Sequence, residues 1–377
     1  MLALSRILSQ LDALAPLALA EPWDNVGLLL EPPRFRSDAA EVEQALLTID
    51  LTPAVLEEAV AAKADLIIAY HPPIFSGQKR LTFQNPTQAL VLSALEAGIA
   101  IYSPHTALDA AAGGMNDWLA AGAGAGHMAA LLPSDQGRPR YKLIVFVPEE
   151  NAEALRSALC KHPSLAHIGE YSECTFASTG EGTFLGSEQS NPVLGERGSL
   201  TRVREVRLEM LCEQAAIALI PGLLKQHHPY EEPAWEVQRL EPLVDVAVGM
   251  GRSLLLTTPA PLNELVQRYK EHLGVPFLRV AASSAHERGV AIQRIHVCAG
   301  SGGEVFQKAS PADLYVTGEL RHHDILALVA RGASVIVSDH SNSERGYLPN
   351  YRRRILENLP ELRVLISESD RDPLRVV

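Results

Sequence analysis

The sequence predicts an α/β protein: two related α/β halves forming a split core, with a ferredoxin-like α+β domain inserted between them. Two observations carry the split core. Short β-rich apolar runs alternate with segments of helical spacing in both the first and last thirds of the chain. The two thirds also repeat one another: Ala64-Asp65-Leu66-Ile67-Ile68 parallels Ala312-Asp313-Leu314-Tyr315-Val316, with His71 or Glu319 six residues after the Asp. Ser103-Pro104-His105, with Asp109 four beyond the His, likewise parallels Ser338-Asp339-His340 with Glu344. A third observation carries the insert. Between the Ala/Gly-rich stretch from Gly122, read as a boundary through Pro139, and about Leu240, strands and helices follow their own order. The expected division is 1–127 for the first half of the core, 128–243 for the insert and 244–377 for the second half.

Composition bounds the function. With 377 residues, 47% apolar and 21% charged, the chain has the makeup of an ordinary globular protein with ample core. A formal net charge of −12 argues against a broad nucleic-acid-binding face. Cys160, Cys174, Cys212 and Cys298 form no CxxC, so neither a disulfide framework nor a thiolate zinc site is indicated. No run reaches the ~18 apolar residues of a membrane span, and the expectation is a cytoplasmic protein. The apolar Leu2–Ala20 stretch is interrupted by Arg6, Gln10 and Asp12 at helical spacing, which suits an amphipathic surface helix better than a signal peptide.

In order, the first half then reads as strand Leu28–Leu30, strand Ala45–Ile49 ending in Asp50, helix Pro53–Lys63, strand Leu66–Ala69, helix Pro86–Ala97 and strand Ile99–Tyr102. Proline opens both helices at their first turn. Asp24 sits in the turn before the first strand, as a turn former or as a group near the site. The insert reads as strand Tyr141–Val147, helix Asn151–His162, strands near Tyr171–Ala177 and Glu181–Leu185, strand Val203–Leu211, helix Glu213–Gln226 and strand Trp235–Leu240, a βαββαβ plan. The core resumes at Val244, with helix Pro261–Leu273, strand Arg294–Cys298 and the Ala299-Gly300-Ser301-Gly302-Gly303 turn into another helix. That glycine turn is either a tight turn or an anion seat; it lacks the Lys-Ser/Thr of a Walker loop. Strands at Leu314–Val316 and Val335–Val337 flank a helix ending near Gly332.

The chemistry gathers at strand ends, where open α/β sheets bind ligands. Glu319, His322, His323, Asp339, His340 and Glu344 fall there in the second half, and His71, His105 and Asp109 in the first. If Ser341 starts a helix, His340 and Glu344 lie one turn apart and reach one cation. The plainer alternative is a helix N-cap at Asp339 or Ser341 with an early Glu meeting the dipole. His227-His228-Pro229-Tyr230-Glu231-Glu232-Pro233 also offers metal-type residues, but its prolines read as a shaped loop entering an edge strand.

EPWDNVGLLL, YHPPIF, SPHTALD, CAGSGGE, DLYVTGELRHHDIL and DHSNSERGYL, in this order from Glu21 to Leu348, resemble the Nif-three-like family. Its members are also called dinuclear-metal hexameric proteins and GTP cyclohydrolase I type 2 homologues. GEYSECTF and HHPYEEPAW are similar to the PII/CutA-like insert of its longer members. The resemblance implies a toroidal homohexamer with two divalent cations per subunit, held by His71, Asp109, His340 and Glu344. Many members have His-His-Pro where this chain has Tyr70-His71-Pro72, so one ligand is replaced by a phenol. Histidine–carboxylate ligation suits Zn, Fe or Mn rather than Ca. The expected activity is metal-dependent hydrolysis of a small phosphorylated or nucleotide-like molecule, with His105, Glu319 and His322 as candidate proton-transfer groups. The competing expectation is a metal-binding assembly or regulatory protein whose insert senses a ligand.

Overall fold

The structure, a computed structural model, describes residues 2–36, 41–134, 140–241 and 245–374. It divides into two compact units, Met1–Ser134 with Asp245–Val377, and Asp135–Val244.

The larger unit is mixed α/β and holds two main sheets. One has five strands in the order Arg363–Ile366, Gln44–Thr48, Leu66–Ala69, Ala100–Ser103, Gly27–Leu30, the first four parallel and the last antiparallel. Every residue of its three central strands is buried, which is why they read as continuous apolar runs rather than as an alternation. The other has six, in the order Arg279–Ala281, Ser334–Val337, Leu314–Glu319, Ile292–Ser301, Asp245–Ala260, Gly126–Ser134. Its Ser334, Leu314 and Ile292 strands are parallel and the rest join antiparallel. The repeated aspartates do the same work in both sheets. Asp65 Oδ2 accepts from the N–H groups of Glu43 and Gln44 at 2.8 and 3.1 Å, and Asp313 Oδ2 from those of Gln293 and Arg294 at 3.0 and 2.8 Å.

Helix Leu4–Leu14 buries Leu4, Ile7 and Leu11 at the helical spacing the sequence shows. One apolar cluster joins that face to Leu47, Ile68 and Tyr102 of the first sheet, Leu265 and Tyr269 of helix Leu262–Leu273, and Val297, Val316 and Ile336 of the second sheet. Helices Pro53–Ala61 and Pro86–Glu96 are capped by Thr52 and Asn85, whose side chains accept from the N–H groups of Val55 and Gln88.

The smaller unit is a four-stranded antiparallel sheet in the order Trp235–Arg239, Arg140–Pro148, Leu200–Glu213, Thr175–Leu185. Helices Ala152–Cys160 and Ile220–His227 pack Leu155, Leu159, Ile220 and Leu224 against the alternating Leu143, Val145, Val147 and Val206, Leu208, Met210.

Several elements differ from expectation. The strands expected near Tyr171–Ala177 and Glu181–Leu185 are one strand, because its ladder with Leu200–Met210 runs unbroken past Gly180 and Gly182. The helix expected over Glu213–Gln226 is two, Gln214–Ile217 and Ile220–His227, since Pro221 has no N–H to continue the first and opens the second. The stretch Gly126–Ser134, expected to lie at the boundary, is a strand paired with Asp245–Ala260. Poor intrinsic β-propensity in an Ala/Gly-rich stretch yields here to a partner strand supplied from far along the chain. Residues 135–139 and 242–244, where joins including Pro139 and Val244 were expected, lie outside the described residues. No helix among the described residues is long and apolar enough to cross a membrane.

Candidate metal centre

His71 follows the Leu66–Ala69 strand by two residues. The N–H groups of Tyr70 and His71 still bond to the carbonyls of Thr48 and Ile49, at 2.9 and 3.0 Å, so the ladder holds the histidine until Pro72 ends it. His340 follows the Ser334–Val337 strand by three residues, after Asp339 in a left-handed conformation (φ 69°). The helix considered from Ser341 is instead two 3₁₀ turns, Ser341–Ser343 and Arg345–Tyr347, interrupted at Glu344 (φ −124°). His340 and Glu344 meet all the same: Nε2 lies 3.4 Å from Oε1.

From the other sheet, His71 Nε2 lies 3.5 Å from Glu344 Oε2, and the two histidine ring centroids are 5.3 Å apart. His71, His340 and Glu344 each present a ligand atom within 4.8 Å of the others. Two ligands at about 2.0–2.1 Å from a tetrahedral cation stand roughly 3.3–3.4 Å apart, so these spacings fit a shared ion. The chemistry of the donors fits too. Glu344 is 1% exposed, and its Oε2 accepts no hydrogen bond among the described residues, an expensive state for a buried carboxylate unless a positive charge stands beside it. Each imidazole is backed on its far nitrogen by a carboxylate, the usual support for a ligating ring: His71 Nδ1 by Asp50 at 2.9 Å, and His340 Nδ1 by Glu319 at 3.4 Å. Burial works against a charged His71, but Asp50 and Glu344 overcome it and push the ring up to about 10. Electrostatically the cluster demands positive charge.

A second group adjoins it. Asp109, on helix His105–Ala110, is buried and accepts from the Tyr70 phenol at 2.5 Å. Burial pushes the Asp109 carboxyl up to about 6 against the pull of His105 and of that hydrogen bond, and Glu344 adds to the rise. Burial, with Asp109 and Glu344 beside it, raises the phenol well above its usual range, so Tyr70 here is a neutral donor. His105 (φ 27°) has its Nδ1 2.8 Å from Asp24 Oδ1, and Thr106 donates to Asp24 Oδ2 through both its hydroxyl and its N–H. Burial opposes the Asp24 charge, but His105 and Thr106 hold the carboxyl below the usual range. His105, Asp109, His340 and Glu344 line a cavity of about 670 Å³, with the exposed rings of Trp23 and Phe75 at its mouth.

The glycine turn proves to be a close-packing device. Ala299, Gly300 and Gly302 donate their N–H groups to Asn116, Ser343 and Thr317, so those three are not offered to an anion. A Cβ on Gly300 would lie 2.8 Å from Glu344 Oε1 and 3.0 Å from His340 Nε2. Glu319 reaches the cluster only through His340, while His322 is exposed at the start of helix His322–Ala330, with its ring beside that of His323. In the His227–Pro233 loop, His228 Nε2 lies 2.9 Å from the Phe146 carbonyl and Nδ1 accepts from the Tyr230 N–H, so both nitrogens serve the loop. Asp50, Tyr70 as donor and Asn116 were not singled out from sequence. Only Asp50 carried a signal, an acid directly after a buried strand.

The fold and the site together define a class: an α/β protein with a His–His–Glu cluster at its strand ends that can hold a metal ion. A family model described as Duf34/NIF3 (NGG1p interacting factor 3) matches residues 2–373, and the chain belongs to that family. It is 39% identical over 377 residues to NIF3-like protein 1 of Rattus norvegicus, covering 99% of this chain and 93% of that protein. It is 31% identical over 374 residues to the GTP cyclohydrolase 1 type 2 homolog of Bacillus subtilis, covering 98% and 97%. Among solved structures, a Bacillus cereus protein related to NIF3 superposes with a TM-score of 0.67 at 28% identity, covering 99% of this chain and 98% of that one. A Staphylococcus aureus protein does so with a TM-score of 0.78 at 25% identity, covering 100% and 99%.

Proposed function

We propose that this protein is a metal-dependent hydrolase of a small phosphorylated or nucleotide-like molecule, with His71, His340, Glu344 and Asp109 holding up to two divalent cations (Zn, Fe or Mn). The observation that carries it is the convergence of the ligand atoms of His71, His340 and Glu344, two of which, His340 and Glu344, also line a cavity large enough for such a molecule. Relatives named as GTP cyclohydrolase 1 type 2 homologs are consistent with a nucleotide-like substrate. A cation held there would supply Lewis acidity and acidify a water molecule near neutrality. Asp50 and Glu319 would hold the two imidazoles in their ligating tautomers. Tyr70 would keep one Asp109 oxygen engaged while the other faces the site. His105, fixed through Nδ1 by Asp24, would use Nε2 to hand a proton to a leaving group. Glu319 and His322 are further candidates for proton transfer, Glu319 at the cluster and His322 at the surface. Trp23 and Phe75 would shield the mouth from water. We also propose that the two sheets are duplicated halves, on the matching Asp65 and Asp313 bonds, that the smaller unit is a ferredoxin-like, PII/CutA-like insert, on its strand order, and that the chain assembles as a homohexamer, on family resemblance.

The second reading, a metal-binding regulatory protein without turnover, is favoured by the separate compact unit with a cavity of its own. Metal analysis of the wild type with His340→Ala and Asp109→Ala, beside a hydrolysis screen of phosphorylated metabolites, tests both. Loss of metal from both variants with metal-dependent turnover in the wild type supports the hydrolase. Unchanged metal content in both variants overturns the shared site, and metal without turnover of any compound leaves the regulatory reading.

A further inference from the structure

The smaller unit has a cavity that nothing above uses. Val145, Val147, Val206 and Leu208 turn toward its helices, so Phe146, between the two valines, and Glu205, just before Val206, lie on the opposite face of the sheet. There a cavity of about 240 Å³ is walled by Phe146, Phe184, Tyr230 and the Asn191–Val193 loop, with Glu205, Glu231 and Glu232 around it. Phe184 and Tyr230 stand edge to face, their ring centroids 6.0 Å apart. The walls are preformed: the Phe146 N–H bonds to the Ala234 carbonyl at 3.0 Å, His228 is seated on the Phe146 carbonyl, and Glu231 accepts from the Asn191 N–H at 2.8 Å.

The charge is one-sided. None of the lining residues is Lys, Arg or His, and the three glutamates form no ion pair among the described residues. Tyr230 donates to Glu205 Oε1 at 3.1 Å, which leaves Oε2. That oxygen lies over Gly182, where a Cβ would come within 2.1 Å of it, so the glycine makes room for the carboxylate. A metal ion fits poorly: no three ligand atoms converge here among the described residues, and both nitrogens of His228 are in use. Carboxylates beside aromatic faces instead suit a cation with a carbon skeleton, because the rings attract positive charge and bury alkyl surface together. The volume lies below the ~300–1,000 Å³ of drug-sized sites, which calls for a compact ligand.

We propose that this cavity binds a small organic cation, an alkylammonium or alkylguanidinium, with its charge on Glu205 and its carbon chain against Phe146, Phe184 and Tyr230. The test is calorimetry and ligand-observed NMR on the full chain with n-butylammonium and n-butylguanidinium, with butanol and butyrate as neutral and anionic controls. At least one cation should bind while both controls fail. Glu205→Gln should weaken it by about tenfold or more, and Phe184→Ala by about three- to tenfold, with unfolding temperatures unchanged. His340→Ala should bind it as the wild type does, which separates this cavity from the metal centre. Should Glu205→Gln fail to fold, Gly182→Ala, which displaces the same carboxylate, is read in its place. Absence of binding by both cations up to about 10 mM, equal binding of butanol, or wild-type affinity in the carboxylate variant overturns the proposal.

Discussion

Tyr70 donates to Asp109 from a fully enclosed position, and that bond keeps a buried carboxylate oriented toward the cavity. Tyr70→Phe should therefore lower metal affinity by about 10-fold, the scale on which groups supporting a ligand act, while the protein stays folded. Tyr70→His exchanges the donor for a potential ligand beside the proline-stiffened His71, and should slow the faster of two metal-release steps. A chelator titration of the three proteins decides it: indistinguishable release from all of them would make Tyr70 irrelevant to the centre. Asp50 acts on His71 in the same indirect way. Burial opposes its charge, yet His71 and Arg345 hold the carboxyl below its usual range, so it remains an acceptor for the imidazole. Asp50→Asn should cost about 10–100-fold in metal affinity with little change in unfolding temperature, and an unchanged affinity would remove its positioning role.

At the scale of elements, the site depends on how closely two strand ends approach the His340–Glu344 turns. Gly300 (φ 60°) occupies a conformation that L side chains rarely adopt, and the space beside it is filled by Glu344 and His340. Gly300→Ala should cost about 1–3 kcal/mol and empty the metal centre, as denaturant melts and metal analysis would show. Helix His105–Ala110, which carries Asp109, is secured from the second sheet. Arg252, 1% exposed on the Asp245–Ala260 strand, pairs with Asp117 and donates to the carbonyls of Ala110 and Ala111 at 3.2 and 3.0 Å. Arg252→Leu removes the guanidinium from all three; Asp117 keeps the Gly113 N–H and the Ala111 carbonyl keeps the Gly114 N–H. The expected loss is about 3–5 kcal/mol, read from urea unfolding; a loss under about 1 kcal/mol would mean that water replaces the guanidinium at little cost.

On the scale of the whole molecule, the chain leaves and re-enters the larger unit at one place, since Ser134 and Asp245 are paired across neighbouring strands. Replacing residues 135–244 by a short linker should give a soluble protein with the metal content of the full chain and a cooperative melt, because the ends to be joined are already adjacent. A deletion protein that aggregates or loses its metal would show that the larger unit depends on the smaller.

The sequence by itself determined the buried parallel strands, the proline-initiated helices and the positions of His71, His340 and Glu344 just beyond strand ends. Those follow from local periodicity, turn chemistry and a repeated spacing, all of which are written within a few residues. What only the tertiary structure decided is what depends on distant partners: Gly126–Ser134 becomes a strand because Asp245–Ala260 lies beside it, and Arg363–Ile366 closes the first sheet from the far end of the chain. The same holds at the site. Asp24 beside His105, Asp50 beside His71 and Asn116 beside Ala299 are joined across 21 to 183 residues of sequence. No local pattern records such pairings, because the groups meet only through the closure of long loops between distant segments.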